Sequence, residues 1–327
     1  MALLVVSGVS AGWYFGGGYE RWREGRELRA MCRGTVGAAD MKELFRSGEM
    51  IRASDREPGR GELAYCDAFS TGSAREIVFS IGWGDEIATS ALDILGWRDY
   101  PSSAMLVPVG AGWSGVLDPH GGPTLVMVVP CGGAGAGKQL VVTLRGQHWS
   151  FFEDQDPEQR ARFGRIGARV AERASAEWGC GVAPGGRIER LITEEEGTKP
   201  APGTASGTCT GVPGKVQEWP TDAKAPIEEC RTYLRRRPDD PSMKLSAFYP
   251  PFGSAVRPAI GLAGDSHGPG APKHRGYQWA TAACPGGEAF YLVQGTEEPG
   301  ETTPREALAG FARESAKRHG CAEPVLP

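Results

Sequence analysis

Two short stretches of this chain match each other and decide the predicted architecture. They are VVPCGG at residues 128–133 and TAACPGG at residues 281–287. Each is followed by an apolar run, QLVVTL at residues 139–144 and AFYLV at residues 289–293. Apolar runs of β-branched and aromatic residues, separated by glycine or proline, are typical of paired β-strands. The sequence therefore predicts a cysteine-bearing hairpin that occurs twice.

The eight cysteines divide into two sets of four, one around each hairpin. An even, patterned set favours a disulfide framework and an oxidising compartment. Four cysteines allow three pairings in each set, and the sequence leaves all three open. Proximity along the chain favours joining each hairpin cysteine to the cysteine after the next helix, and the other two of each set to each other: Cys131 with Cys180, Cys284 with Cys321, Cys32 with Cys66, and Cys209 with Cys230.

The chain begins with an apolar stretch, because residues 2–19 contain no charged side chain. A helix that spans a bilayer needs about 20 residues. The glutamates and arginines of residues 19–29 predict a charged helix that continues out of the membrane. Basic residues after the span favour a cytoplasmic carboxyl-terminal part, whereas eight patterned cysteines favour export. We expect a single-pass protein of the cell membrane with the bulk of the chain extracytoplasmic; a cleaved signal peptide and a truncated start are the alternatives.

The predicted fold class is α+β, with two tandem repeats of a small antiparallel sheet and a carboxyl-terminal helix packed on one face. Residues 1–29 form the anchor and juxtamembrane helix, and residues 30–192 form the first disulfide-stapled domain. Residues 193–207, acidic and then rich in proline, glycine and serine, have the composition of a linker. Residues 208–327 form the second, smaller domain. Each domain is long enough to bury a core of its own.

The individual elements are predicted from periodicity and punctuation. Expected strands cover residues 62–69, 76–82, 104–109, 124–130 and 138–145 in the first domain and residues 227–234, 243–249, 277–284 and 288–294 in the second. A short helix is expected at residues 38–45. A helix-like segment at residues 85–94 has no expected counterpart in the second domain.

Both terminal helices have clear start and stop signals. Asp156 and Pro157 suit the entry of the first, and the capping box of Thr303 with Glu306 suits the entry of the second. The apolar stripes are Phe163, Ile166, Val170 and Ala174 in the first helix, and Leu308, Phe311, Ala312 and Ser315 in the second. Gly179 and Gly320 supply the predicted left-handed stops before the last cysteine of each set.

The anchor, the charged helix after it, the domain that opens on Cys32 and the helices that end at Gly-Cys resemble a group of actinobacterial membrane-anchored proteins. The Ala/Gly/Arg/Pro-rich composition agrees with such an origin. The resemblance implies export and one or two small cysteine-bearing α+β domains. The function of those proteins is unknown, so no active site follows from the resemblance.

Several motifs suggest chemistry that their context disfavours. The run GGAGAGK at residues 132–138 resembles a phosphate-binding loop, but Gln139 replaces the Ser or Thr that would hold magnesium and a strand follows instead of a helix, so no nucleotide is expected. Residues 265–267, Asp-Ser-His, are adjacent and cannot converge as a triad, and residues 112–115 read as a turn. The five histidines show no metal-ligand spacing. The net charge of −4 gives no case for nucleic acid.

Tryptophan is the residue type that points most directly to binding. Trp83, Trp97, Trp113 and Trp149 fall in strand and loop contexts of the first domain, where aromatic rings can form a platform for a glycan or peptide. No catalytic constellation and no cofactor motif accompanies them. The sequence therefore predicts a non-catalytic module that binds an envelope component or another protein. A cell-envelope hydrolase with its site in the first domain and a structural spacer are the alternatives.

Overall fold

The computed structural model describes residues 17–45, 48–96, 105–118, 122–132, 137–147, 157–181, 185–192, 196–234, 241–260, 277–295 and 302–327. Within these ranges the chain is a mixed α+β protein with two antiparallel sheets. A search of the same ranges finds no helix that is long and apolar enough to cross a bilayer. The predicted span lies almost entirely outside them.

The described residues of the first half form four helices and seven strands. In chain order they are α1 (Gly18–Ala30), a 3₁₀ turn (Met31–Gly34), α2 (Ala38–Leu44), β1 (Ile51–Arg56), β2 (Glu62–Ser70), β3 (Glu76–Trp83), α3 (Gly84–Ile94), β4 (Val107–Pro108), β5 (Gly115–Asp118), β6 (Thr124–Pro130), β7 (Gln139–Gln147) and α4 (Pro157–Glu177). The second half contains β8 (Lys215–Gln217), β9 (Ile227–Tyr233), β10 (Pro241–Phe248), α5 (Phe252–Ala259), β11 (Tyr277–Cys284), β12 (Gly287–Gly295) and α6 (Pro304–Arg318).

The first sheet has the strand order β1-β2-β3-β7-β6-β5-β4. Helix α4 packs on its outer face through the predicted stripe of Phe163, Ile166, Val170 and Ala174, all of them buried in one apolar cluster with β6 and β7. Gly179 has a φ of 70° and ends the helix as expected. The predicted cap Asp156 lies outside the described residues.

The second sheet has the order β11-β12-β10-β9-β8, and α6 packs on it. Leu308, Phe311 and Ala312 are fully buried against that sheet. The capping box is confirmed, since the Thr303 side chain accepts a hydrogen bond from the amide of Glu306 and the Glu306 side chain reaches back. These contacts position each terminal helix on its sheet.

The two sheets share a strand order and a register. Without the extra pair β4 and β5, the first sheet has the order β1-β2-β3-β7-β6, and the second sheet, taken from its other edge, has the order β8-β9-β10-β12-β11. In both sheets the third strand along the chain therefore pairs with the fifth, and the fifth pairs with the fourth. One row across the first sheet pairs Cys66, Phe79, Leu144 and Leu125; the matching row of the second pairs Cys230, Leu245, Val293 and Gln278. The third cysteine of each set follows this row at the same distance: Cys131 comes six residues after Leu125, and Cys284 comes six residues after Gln278. Corresponding cysteines thus occupy corresponding positions.

The predicted disulfides are confirmed. Cys32 is bonded to Cys66, Cys131 to Cys180, Cys209 to Cys230 and Cys284 to Cys321, and none of the eight cysteines is free. In each half, one bridge ties a strand to the chain before the sheet, and the other ties a hairpin to the end of the helix that packs on it. Each of the four bridges joins two cysteines of the same half.

The inner faces of the sheets pack toward each other, which the sequence did not predict. Helices α3 and α5 contact each other, and one buried apolar cluster contains Leu92 and Val141 of the first half with Phe252 and Leu292 of the second. Each sheet therefore carries a helix on both faces, and the expectation of one helix on one face is incomplete. The expectation that residues 85–94 have no counterpart is wrong, because α5 follows β10 as α3 follows β3.

Strand limits also differ from prediction. The strand expected at residues 104–109 is confined to Val107–Pro108 among the described residues, and β1, β5 and β8 were not predicted. β1 is polar at every second position, and β8 has only three residues. Residues 196–207 of the predicted linker pack on the second half. The backbone of Thr198 pairs with the backbone of Glu218, and the amide of Gly207 donates to the Glu218 side chain at 2.8 Å.

Candidate ligand-binding cavity

A cavity of about 260 Å³ opens between the end of β6, helix α4 and the turn before β5. Its described lining combines an aromatic ring and aliphatic side chains with a few polar groups: Gly112, Trp113, Ser114, Val128, Val129, Pro130, Gln139, Ala171, Glu172, Ser175, Gly185 and Lys224. Trp113 is one of the four tryptophans predicted to bind. The volume is close to the lower end of typical small-molecule pockets, roughly 300 Å³.

A tight reversal of the backbone places Trp113. Gly110, Ala111 and Gly112 all have positive φ, at 72°, 54° and 78°, and the amide of Trp113 closes the turn on the Gly110 carbonyl at 3.0 Å. The indole Nε1 donates to the Gly186 carbonyl at 2.8 Å. The ring lies so close to Gly185 that a Cβ there would be 2.6 Å from it. The indole is therefore held rigidly, with 8% of the residue exposed.

The cavity lies where β6 continues past the first residue of β5, Gly115. Strand pairing between them stops at Met127, and Val128 makes one further backbone bond, to the Ser114 carbonyl at 2.8 Å. Beyond that point no described strand pairs with β6 on this side. Across the gap, α4 presents the small residues Ala171 and Ser175, which leave room for a ligand over Val129.

Two opposite charges lie at the cavity. Lys224 comes from the second half, and its Nζ donates to the Gly112 carbonyl at 2.9 Å. Glu172 is exposed on α4. An apolar floor between an ammonium and a carboxylate suits a small ligand that carries an apolar group together with charged or polar ends. The described lining includes two serines but neither histidine nor cysteine.

Of the other predicted tryptophans, the structure describes only Trp83, which is not part of the described lining. Trp83 precedes α3, and its ring is covered by the ammonium of Lys138, 4.8 Å from the ring centroid. Trp97 and Trp149 lie outside the described residues. Sequence reasoning missed Lys224 and Gly185, since both are in loops without any periodic signal, and their place at the cavity depends on contacts across the fold.

A second polar group, buried in the second half, resembles a catalytic set at first sight. Glu228 of β9 accepts hydrogen bonds from Ser315 at 2.5 Å and from Arg318 at 2.9 Å. The Nε2 of His319 lies 3.3 Å from its other carboxylate oxygen. Burial raises the pKa of Glu228, but the hydrogen bond to His319 and the charge of Arg318 outweigh it, so the pKa is below its usual 4.5.

The geometry of this group does not fit nucleophilic catalysis. Ser315 is fully buried, and its hydroxyl bonds to Glu228 and to the Tyr249 hydroxyl, at 2.5 Å each. The His319 ring stacks on Tyr249 at 3.5 Å between ring centroids, and its Nε2 lies by the Glu228 carboxylate, whereas its contact with Ser315 is a backbone hydrogen bond to the Ser315 carbonyl at 3.2 Å. Burial raises the pKa of Tyr249, and that of Tyr291 to about 12. The group therefore joins α6 to its sheet.

Among the described residues, one set of three potential metal ligands was found: Cys32, Asp55 and Cys66. The two sulfurs are bonded to each other, and an Asp55 oxygen accepts the amide of Cys32 at 2.7 Å. The set is therefore a disulfide bond with an aspartate hydrogen-bonded beside it.

The glycine-rich run that resembles a phosphate-binding loop is followed by a strand, because β7 begins at Gln139 and pairs with β6. The residues Asp265, Ser266 and His267 lie outside the described ranges.

Comparison of this chain with protein-family models, with curated proteins and with solved structures finds no significant match.

Proposed function

We propose that this chain is a membrane-anchored, extracytoplasmic binding module of the cell envelope, without catalytic activity. The observation that carries the proposal is the cavity at Trp113. It offers a rigid indole, an aliphatic floor and charges of both signs, and its described lining contains neither histidine nor cysteine. The four disulfides support an oxidising compartment, and thereby export.

We also propose that the two halves are tandem copies of one unit, the second without the β4–β5 pair. Support comes from the shared strand order, the shared register and the equivalent cysteine positions. The cavity belongs to the first copy, since it uses the turn before β5, an element that the described second half lacks. Binding would then be a property gained by one copy, with Lys224 supplied by the other.

The ligand class that fits is a small zwitterion with an apolar side chain, such as an amino acid or a short peptide. The test is isothermal titration calorimetry with leucine-containing dipeptides, followed by an aliphatic carboxylate and an aliphatic amine of the same size. We expect the zwitterion to bind most tightly, because only it can face both Lys224 and Glu172.

The matched variants are Ser114→Phe, which fills the cavity, and Trp83→Ala, which removes an indole outside its described lining. Binding should be lost in the first and retained in the second. Equal binding by both variants, or none by the wild type with any probe, would overturn the proposal. Hydrolysis of the dipeptide during the titration, detected by liquid chromatography, would instead favour the hydrolase alternative.

A further inference from the structure

Helix α1 has one side buried against the protein and the opposite side exposed. It packs on β1, and its residues Leu28 and Glu24 are 0% and 8% exposed. An α-helix turns by about 100° per residue, so Trp22, Arg26 and Arg29 fall together on the side opposite to these two. All three are exposed. We name Trp22, Arg26 and Arg29 the arginine face.

The acids of α1 are engaged by the protein itself. Glu20 pairs with Arg52 of β1 and, at 2.8 Å, with Arg23. Glu27 lies 3.6 Å from the same Arg23, and Glu24 is buried. The two arginines of the arginine face have no acidic partner among the described residues. The balanced charges of the sequence are therefore separated by folding, with the acids held at the protein and two cations left outside.

An aromatic ring accompanies these unpaired cations. Trp22 is 48% exposed, and no other tryptophan among the described residues is exposed. The Arg26 guanidinium lies 5.6 Å from the Trp22 ring centroid, and the Tyr19 ring lies 6.0 Å away. Tryptophan and tyrosine together with arginine are typical of side chains at the headgroup level of a bilayer, on helices that lie along its surface.

The start of α1 fits such a placement. Residues 2–16, just before it, carry no charged side chain. Gly17 has a φ of 77°, and a residue in this left-handed region does not belong to a right-handed helix. α1 is therefore a separate helix and not a straight continuation of the chain before it. It can run along the surface of a bilayer that residues 2–16 enter.

We propose that the arginine face docks on the headgroups of a bilayer that contains anionic phospholipid, so that the first half lies against the membrane. The proposal rests on the proposed membrane anchoring for the position of α1, whereas the contact itself depends on charge. Guanidinium groups pair closely with phosphate oxygens, and an anionic surface attracts each basic residue near it. The stripe from Trp22 to Arg29 extends about 10 Å along one helix, which a flat layer of phosphates can contact throughout.

The test is the fluorescence of Trp22 in the full chain reconstituted into vesicles. One set is phosphatidylcholine alone and the other contains phosphatidylglycerol as well, with the same fraction of phosphatidylcholine brominated in its acyl chains in both. Subtracting the spectrum of Trp22→Phe isolates the emission of Trp22. We expect this emission to shift to shorter wavelength and to be quenched in the anionic vesicles only. Both effects should be lost at about 1 M salt, where the Debye length is about 3 Å.

Charge reversal is the decisive variant. Arg26→Glu combined with Arg29→Glu should lose the shift and the quenching, each read against the same variant with Trp22→Phe. The matched control is Arg187→Glu, since Arg187 is a 72% exposed arginine outside α1; it should keep both effects. An unchanged urea midpoint shows that each variant is folded.

Flotation of the vesicles measures the anchor separately. A chain that floats with neutral vesicles but shows no response of Trp22 in anionic ones would overturn the docking and leave the anchoring intact. Flotation with anionic vesicles alone, lost on charge reversal, would support the docking and contradict the anchoring. Equal quenching in both vesicle types, or quenching that survives charge reversal, would overturn the proposal. A shift of Trp22 emission that follows protein concentration without lipid would show that a second copy covers this face, which also overturns it.

Discussion

The buried ion pair between Lys244 and Glu229 gives the sharpest stability prediction. Both side chains are fully buried, and Nζ lies 2.8 Å from the carboxylate. Glu229 also accepts hydrogen bonds from the amide of Leu106 and, at 3.2 Å, from Ser246. Lys244→Met keeps most of the apolar stem but leaves the carboxylate buried without its counter-charge. Such a change costs about 3–5 kcal/mol, a large part of the roughly 5–15 kcal/mol that stabilises an ordinary domain.

The double variant separates the charge effect from lost packing. Lys244→Met combined with Glu229→Gln has no buried charge, and the glutamine carbonyl can still accept from the Leu106 amide. We therefore expect the double variant to lose much less stability than the two single variants together, with a coupling energy of about 2 kcal/mol or more. The measurement is urea unfolding followed by circular dichroism, with the free energy extrapolated to water.

An exposed ion pair provides the control for this cycle. Arg187 and Glu189 are 3.1 Å apart, and both side chains are 72% exposed. Arg187→Met should change stability by less than about 1 kcal/mol. The reasoning is refuted if Lys244→Met costs no more than Arg187→Met, or if the effects of Lys244→Met and Glu229→Gln simply add.

Three further predictions concern titration and the disulfides. Because the pKa of Glu228 is lowered in the folded state, its contribution is present above pH 4.5 and is lost as the pH falls further; Glu228→Gln should flatten the fall in urea midpoint below pH 4.5, and an unchanged slope would contradict this. Because burial raises the pKa of Tyr291 to about 12, stability should fall as the pH rises from 10 toward 12, and ultraviolet titration should show its phenolate only near pH 12; ionisation of Tyr291 near pH 10 would be the contrary result. Replacing Cys131 and Cys180 by alanine opens a loop with a sequence separation of 49 and should cost about 4 kcal/mol in urea unfolding, whereas a loss below about 1 kcal/mol would show that the bridge adds little.

Much of the fold could be predicted from local signals. The alternation of apolar runs with glycine and proline located the central strands, and the capping box at Thr303 together with the glycine stops at Gly179 and Gly320 located the ends of the terminal helices. The sequence left three disulfide pairings open in each set, and the pairing that proximity favoured is the one observed.

The rest depends on contacts between distant parts of the chain. Helix α5 is short, with Pro251 at its start and Pro258 inside its last turn, so the sequence around its apolar residues resembles a loop until the facing helix α3 is known. Glu229 and Lys244 lie in strands with the polar alternation of a solvated face, yet both are fully buried, and the amide of Leu106 from the first half donates to Glu229. The cavity likewise joins a turn, a helix and Lys224 of the other half; the sequence indicated the turn with Trp113 and the helix, but it gave no signal that Lys224 lies beside them.

The most direct test of the central claim, two disulfide-stapled units in an oxidising compartment, is mass mapping of the cysteines in protein purified without reductant. The account predicts four bridges confined within the halves: Cys32 with Cys66, Cys131 with Cys180, Cys209 with Cys230, and Cys284 with Cys321. Free thiols throughout would place the chain in a reducing compartment, and bridges between the halves would contradict the two-unit architecture.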